Sequence, residues 1–125
     1  ANPITLTAGL ESMKLFDATA IERINTLAQR AIDGIERAIK ETGATACVTG
    51  AGSMFRIHMK EHAPKNFREA YMSPEENAKL KILLDHMFDE NFLMINTCSA
   101  VLSTPMTESE IDELVEAVKR GLQKL

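Results

Sequence analysis

Residues 49–58, in the middle of the chain, restrict its possible folds more than any other stretch. They include two glycines, Gly50 and Gly52, and apolar and polar side chains then alternate over residues 54–60. An alternation of period two is typical of a β-strand that buries one face. On both sides of this stretch, apolar residues recur every three or four positions, which indicates amphipathic helices. The chain is therefore expected to hold a small sheet between two helical segments.

The alternation also assigns each side chain of the predicted strand to one of two faces, because successive residues of a strand point in opposite directions. The apolar set, expected in the core, is Phe55, Ile57 and Met59. The polar set, expected on an open face, is Arg56, His58 and Lys60. One face of the sheet is thus left free for contacts outside the core.

Capping signals predict four helices in the rest of the chain. Each starts after a side chain that can accept a hydrogen bond from free backbone N–H groups. These caps are Asn2, Asp17, Ser73 and Thr107, and the helices begin at residues 3, 18, 74 and 108. The apolar residues of the first helix are expected to be largely buried. Further short strands are predicted at 44–48, 92–95 and 100–103, with a polar loop at 61–72.

This order of elements predicts an α+β fold, a small antiparallel sheet with helices packed on one face. Residues 1–125 are expected to form a single domain, since the length suits one core and no repeat or linker divides it.

Charge and composition argue against several classes of function. The net charge is −4 and the charges are mixed, with no polybasic tail, so nucleic-acid binding is not indicated. No apolar run is long enough for a membrane span, and no signal peptide is visible. Cys47 and Cys98 are far apart and are expected to be free thiols in a cytoplasmic protein.

The residues alone show no self-sufficient catalytic apparatus. The glycine-rich run precedes a strand instead of a helix, so it indicates a turn or bulge and not a phosphate-binding loop. His58 and His62 would be about 13 Å apart on a strand, too far for one metal ion. Arg56 and Arg68 can each bind a carboxylate, although an ordinary salt bridge is the alternative. His86, on a predicted helix, is interpreted as a surface or satisfied core histidine.

Four segments nevertheless occur in an order similar to a known family. They are residues 2–5, residues 49–55, residues 66–68, and residues 102–107 followed by Ile111 and Asp112. Together they resemble the C-terminal small domain of class III, fold-type-I pyridoxal-phosphate enzymes. The most similar branch holds the glutamate-1-semialdehyde aminomutases and neighbouring aminotransferases. The resemblance covers essentially the whole chain.

The resemblance implies a parent enzyme that is a homodimer and moves the amino group of a small amino-acid substrate. In such enzymes pyridoxal phosphate forms a Schiff base with a lysine of a large domain. That domain is expected to precede Ala1, where the chain opens abruptly without Met. The chain alone, lacking that lysine, is expected to bind no cofactor, and none of its residues is assigned a catalytic role.

The resemblance also suggests candidates for the substrate pocket. In the aminomutases a glutamate from the last strand region reaches the active site, and the corresponding position here is Cys98. A related β-amino-acid aminotransferase has a substrate-binding arginine in the same stretch, and residues 95–99 contain none. Thr97 and Cys98 are therefore expected to line the pocket without acid–base chemistry. Arg56 and His58 are expected to face the large domain or the active-site entrance.

A second hypothesis stays open, because a fold alone does not fix a function. The chain would then be an independent α+β binding or interaction module. Its ligand or partner surface would be the sheet face carrying Arg56, His58 and Lys60.

Overall fold

The computed structural model describes residues 2–125, which form five helices and one three-stranded antiparallel sheet. The helices are α1 Pro3–Leu15, α2 Ala18–Thr42, α3 Phe67–Ala70, α4 Pro74–Asp89 and α5 Glu108–Leu122. The strands are β1 Cys47–Ala51, β2 Met54–His58 and β3 Ser99–Val101, in the spatial order β1-β2-β3. The α+β class predicted from the sequence is confirmed.

The long helix α2 has clear start and stop signals. Its N-cap Asp17 accepts a hydrogen bond from the backbone N–H of Ala20 at 2.8 Å. It ends at Gly43, whose φ of 69° is the left-handed conformation that glycine adopts without strain. Between these ends, its apolar positions face α5 and the sheet. The guanidinium of Arg30 also holds both carboxylate oxygens of Asp112 on α5, each at 2.8 Å.

Strands β1 and β2 form a hairpin whose turn is Gly52 and Ser53, since Ala51 pairs with Met54. Gly52 has a φ of 59°, as two-residue hairpin turns require of at least one residue. Gly50 lies within β1, and a Cβ atom there would be 2.5 Å from Ile32 Cδ1 and 2.7 Å from the carbonyl oxygen of Met54. The glycine-rich run therefore shapes a hairpin and the close approach of α2.

The core lies between one face of the sheet and helices α2, α4 and α5. Phe55, Ile57 and Met59 are all buried there, as the alternation predicted. They belong to one apolar cluster with the inner faces of the helices, including Ile35, Leu83, Met87, Ile111 and Val118. The helices thus cover only one side of the sheet.

Three local predictions were wrong. Residues 92–95 are irregular, because Asn91 and Cys98 both take positive φ, at 68° and 57°, and the segment between them has no strand partner. β1 lies three residues later than predicted, since Gly50 extends the strand instead of ending it. The predicted loop at 61–72 contains the short helix α3, capped by Asn66, whose side chain accepts from the Glu69 N–H at 3.1 Å.

Helix α1 also differs from expectation, because none of its side chains is buried. Ile4 is 78% exposed and Leu15 is 82% exposed. Its apolar residues are spread around the helix, so no single stripe directs it onto the core. Within residues 2–125, nothing covers this apolar surface.

In the part of the chain that the structure describes, no helix has the length and apolar character required to cross a membrane.

Candidate functional site

The strand register aligns three polar residues in one row across the sheet. Arg56 of β2 is directly opposite Thr49 of β1 on one side and Ser99 of β3 on the other. Directly paired residues of antiparallel strands project to the same face. Since Phe55 and Ile57 occupy the core face, this row lies on the opposite one. We call it the outer sheet face, and define it by Cys47, Thr49, Arg56, His58 and Ser99.

Arg56 has no partner for its charge within residues 2–125. Its side chain makes no ion pair and no hydrogen bond there, and its Nε atom is enclosed without an acceptor. Arg120, by contrast, holds both carboxylate oxygens of Glu90 at 3.2 and 2.7 Å. Arg37 and Arg68 also make no ion pair within residues 2–125, but both are exposed to solvent. A half-buried guanidinium with no acceptor is unusual, because nearly all buried polar groups find a partner.

His58 is held at the edge of the same face. It is only 6% exposed, and its Nε2 lies 2.9 Å from the hydroxyl oxygen of Thr49. Burial lowers the pKa of His58 below its ordinary value, and the charges of Arg56 and Lys60 lower it further. The imidazole is therefore neutral at neutral pH. His58 lies beside Arg56 on the strand, as predicted, but its side chain is enclosed by protein and does not lie on an open surface.

Thr97 and Cys98 occupy different environments although they are adjacent. The hydroxyl of Thr97 lies 3.0 Å from that of Ser99, so Thr97 extends the polar row. The thiol of Cys98 is 0% exposed and belongs to the apolar core. Burial raises the pKa of Cys98 to about 12, so the group is a neutral thiol and not a nucleophile.

Lys60 does not share the outer sheet face. β2 ends at His58, and the ammonium of Lys60 instead reaches α4, where it lies 2.8 and 2.9 Å from the two carboxylate oxygens of Glu76. Glu76 is part of the capping box that begins α4 with Ser73. The combined face of Arg56, His58 and Lys60 expected from the sequence is therefore not formed, because β2 ends two residues before Lys60.

Sequence reasoning missed Thr49 and Ser99 as members of the row. The sequence did contain a signal for Thr49. A two-residue turn at Gly52 and Ser53 sets an antiparallel register in which Thr49 pairs with Arg56. Ser99 had no such signal, because its pairing joins segments far apart in the chain.

Two depressions meet at strand β3. One, of about 500 Å³, lies over the outer sheet face and is lined by Thr49, Arg56 and Ser99 together with apolar residues. The other, of about 590 Å³, is an apolar cleft between residues 91–95, β3 and the start of α5. Ile95, Ser99, Ala100 and Val101 line both. A ligand with a polar end at Arg56 could thus extend along an apolar surface.

The remaining candidates lie apart from this row. His86 is a satisfied core histidine, with Nε2 3.0 Å from the carbonyl oxygen of Ala117 and Nδ1 2.8 Å from the ammonium of Lys124. Arg68 is exposed on α3. Both cysteines are free thiols. Among the described residues, no group of His, Cys, Asp and Glu side chains is arranged to hold a metal ion.

The residues of this site do not fit a complete pyridoxal-phosphate site. Such a site needs a lysine amine to bind the cofactor aldehyde. Of the residues described, no lysine lines either depression, and the nearest by sequence, Lys60, is engaged with Glu76. The outer sheet face can bind an anion and apolar groups, and it supplies no amine for covalent attachment.

Known proteins resemble this chain over nearly its whole length. The glutamate-1-semialdehyde 2,1-aminomutase of Akkermansia muciniphila is 30% identical over 127 residues, which cover 99% of this chain. The match covers 29% of that relative, so the chain spans less than a third of its length. No family model matches the chain.

Solved structures agree with the sequence comparison. An omega-transaminase from Sphaerobacter thermophilus superposes with a TM-score of 0.94 at 31% identity, covering 98% of this chain and 28% of that one. A transaminase with PLP bound gives a TM-score of 0.84, also at 31% identity, and the match covers 99% of this chain and 28% of the transaminase chain. Both likenesses concern the same fold over a minor part of the larger protein.

Proposed function

We propose a function for this chain from the premise that it is a homologue of the C-terminal small domain of class III, fold-type-I pyridoxal-phosphate aminotransferases. The chain acts as the small domain of an aminotransferase or aminomutase similar to glutamate-1-semialdehyde 2,1-aminomutase. It packs against a large domain that holds the cofactor, within a cytoplasmic homodimer. By itself it neither binds pyridoxal phosphate nor transfers an amino group.

One observation carries this proposal: the outer sheet face is polar at its centre and apolar at its border. Arg56 lies in the central row, while Met54 and Val101 form an adjoining pair across β2 and β3 and are both exposed. Ile95, which lines the same depression, is exposed as well. A monomeric protein rarely leaves such apolar side chains together in water, so they favour coverage by another domain. Arg56 would then be enclosed as part of a pocket wall.

Helix α1 supports docking of a second domain in the same way. Its exposed apolar residues are Ile4, Leu6, Leu10, Met13 and Leu15. Their spread around the helix suits a helix that is surrounded by protein rather than one lying on a single surface. In this proposal, α1 packs on the large domain and α2 begins the small one.

The test is reconstitution with a large domain. The chain alone, mixed with pyridoxal phosphate, should give no Schiff-base absorption beyond that of free amines. The same chain joined to a lysine-bearing large domain of a class III aminotransferase should give the absorption band and transfer amino groups. A matched fusion that carries an unrelated α+β domain should fold without activity. A Schiff base at one defined lysine of the isolated chain would contradict the proposal.

The alternative function, an independent binding module, has less support. It relied on three polar side chains on one face, and Lys60 is engaged with Glu76 while His58 is enclosed. Of those three side chains, Arg56 alone remains available on the outer sheet face.

A further inference from the structure

We propose that Arg56, with the hydroxyls of Thr49 and Ser99, forms a binding site for the carboxylate of a small organic acid whose apolar part lies along Ile95 and Val101. That a carboxylate binds here is inferred from the geometry of this chain. That this carboxylate is the one of the substrate rests on the proposed function.

The uncompensated charge of Arg56 favours a bound anion. Within the described residues no carboxylate pairs with it, whereas the arginines that lack an acidic partner elsewhere, such as Arg37 and Arg68, are exposed and keep their hydration. Burial is the main cause of the lowered pKa of His58, and the charge of the nearby guanidinium lowers it further. A half-buried cation without a counter-charge loses hydration without compensation, and a bound anion supplies that compensation.

The side chain of Arg56 is held in position while its terminal Nη atoms are free. Its Nε is enclosed by protein, which restricts rotation of the side chain. The terminal Nη atoms make no hydrogen bond within residues 2–125 and are not enclosed, since Nε is the unpartnered atom that is buried. Two terminal N–H groups in one plane match the two oxygens of a carboxylate.

The neighbours of Arg56 favour a carboxylate over a phosphate. Thr49 and Ser99 flank it in the row with neutral hydroxyls, each of which makes one side-chain hydrogen bond within the chain and keeps the capacity for another. The only nearby lysine in sequence, Lys60, is neutralised by Glu76, and His58 is neutral. One positive charge balances one carboxylate, whereas a phosphate group carries about −1.5 to −2 at neutral pH and needs more cationic partners.

The apolar border defines the rest of the ligand. Ile95 and Val101 are exposed and line the depression in which Arg56 lies. The same two residues also line the apolar cleft on the other side of β3. A hydrocarbon group attached to the carboxylate would therefore cover apolar surface, which strengthens binding roughly in proportion to the area buried.

Titration of the chain by NMR or calorimetry tests the site, with 3-phenylpropionate, acetate and inorganic phosphate at constant ionic strength. We expect 3-phenylpropionate to bind saturably and more tightly than either acetate or phosphate. Arg56→Gln should weaken it roughly tenfold or more, as expected for loss of charged hydrogen bonds. Arg56→Lys should weaken it less. The matched control is Arg68→Gln, which removes an exposed arginine and should leave binding unchanged.

Melting curves of each variant check that the fold is retained, and Arg56→Lys keeps the test valid if Arg56→Gln does not fold. Equal binding by Arg56→Gln and the unsubstituted chain, or no binding by either, overturns the site. Phosphate binding more tightly than 3-phenylpropionate overturns the choice of ligand.

A second measurement separates this inference from the proposed function. In the fusion with a large domain, Arg56→Gln should raise KM for an amino-acid donor and leave KM for the corresponding amine without a carboxylate unchanged. If the isolated chain binds carboxylates through Arg56 while KM does not change, the site is real but is not the substrate site. If the fusion fails to bind cofactor at all, the proposed function fails independently of the titration.

Discussion

Cys98 joins the irregular segment after α4 to the sheet through backbone hydrogen bonds. Its backbone has a φ of 57°, its N–H donates to the carbonyl of Ile95 at 2.8 Å, and its carbonyl accepts from the N–H of Ile57 at 3.1 Å. The positive φ is uncommon for a residue other than glycine. The side chain is enclosed in the core, so the conformation is fixed by packing as well as by hydrogen bonds.

We predict that the two cysteines differ in reactivity because their burial differs. Burial raises the pKa of both thiols, and that of Cys98 reaches about 12, so almost no thiolate forms there at neutral pH. Labelling the native chain with a thiol reagent at mildly alkaline pH should modify Cys47 slowly and Cys98 not at all. In denaturant both should react. A Cys47→Ser variant that still reacts in the native state would contradict this.

Gly50 is expected to be the least replaceable residue of the hairpin. In Gly50→Ala the new Cβ would meet the carbonyl oxygen of Met54 at 2.7 Å, and backbone moves less easily than side chains. Overpacking of this kind costs about 1–3 kcal/mol of unfolding free energy, measured by chemical denaturation. Gly9→Ala is the matched control, because a Cβ added at Gly9 would meet nothing within 4 Å. Its helix position should make it neutral or slightly stabilising.

His58 should make the fold less stable as the pH falls from neutral into the mildly acidic range. Its pKa is lower in the folded chain than the ordinary 6.5, chiefly through burial, so the unfolded chain binds more protons in this range. The stabilisation that neutral His58 contributes is therefore complete above about pH 6.5, and it is lost as the pH falls toward the lower pKa of the folded chain. Melting temperatures should fall over this interval, and the fall should be smaller in His58→Gln. An identical pH profile in that variant would refute the assignment.

At the scale of elements, capping chemistry was predictable and strand pairing was not. The caps at Asn2, Asp17, Ser73 and Thr107 predicted where four helices begin, because a cap acts on its own next three residues. The apolar residues 92–95 have the composition of a strand, although they line the cleft beside β3. Pairing depends on partners far along the chain, which no local pattern specifies.

The same limit applies to the candidate site. Arg56 and His58 were predicted on one face because a strand has a period of two, and both lie there. That Lys60 leaves this face for Glu76 depends on where β2 stops. That Cys98 is enclosed depends on the core around it. Neither fact is contained in the sequence pattern.

Helix α1 should contribute little to the stability of the chain. Leu10→Ser removes an apolar side chain that is exposed, so the unfolding free energy should change by no more than about 0.5 kcal/mol. Ile35→Ala in α2 removes a fully buried side chain and should cost about 2–5 kcal/mol. Denaturation curves of the two variants compare them directly. A large loss in Leu10→Ser would mean that α1 packs on the core.

The whole molecule buries apolar residues on one side of its sheet and leaves others uncovered. The exposed group includes residues of α1, of β2 and β3, and of the segment after α4, among them Leu93, which is 86% exposed. We predict that the isolated chain self-associates as its concentration rises, because this surface favours contact over hydration. Sedimentation velocity should show the shift, and a Leu10→Ser, Leu15→Ser double variant should reduce it. A chain that stays monomeric at every concentration would argue against coverage by another domain.

The junction between α1 and α2 has a further consequence for movement. Only Phe16 and Asp17 separate the two helices, and Asp17 is already fixed as the cap of α2. With 25 residues, α2 is about 37 Å long, so a small rotation of the backbone at Phe16 is multiplied along its length. If α1 is fixed to another domain, the backbone at Phe16 becomes the hinge about which the rest of the chain rotates. The position of Arg56 relative to that domain then depends on the φ and ψ angles of Phe16.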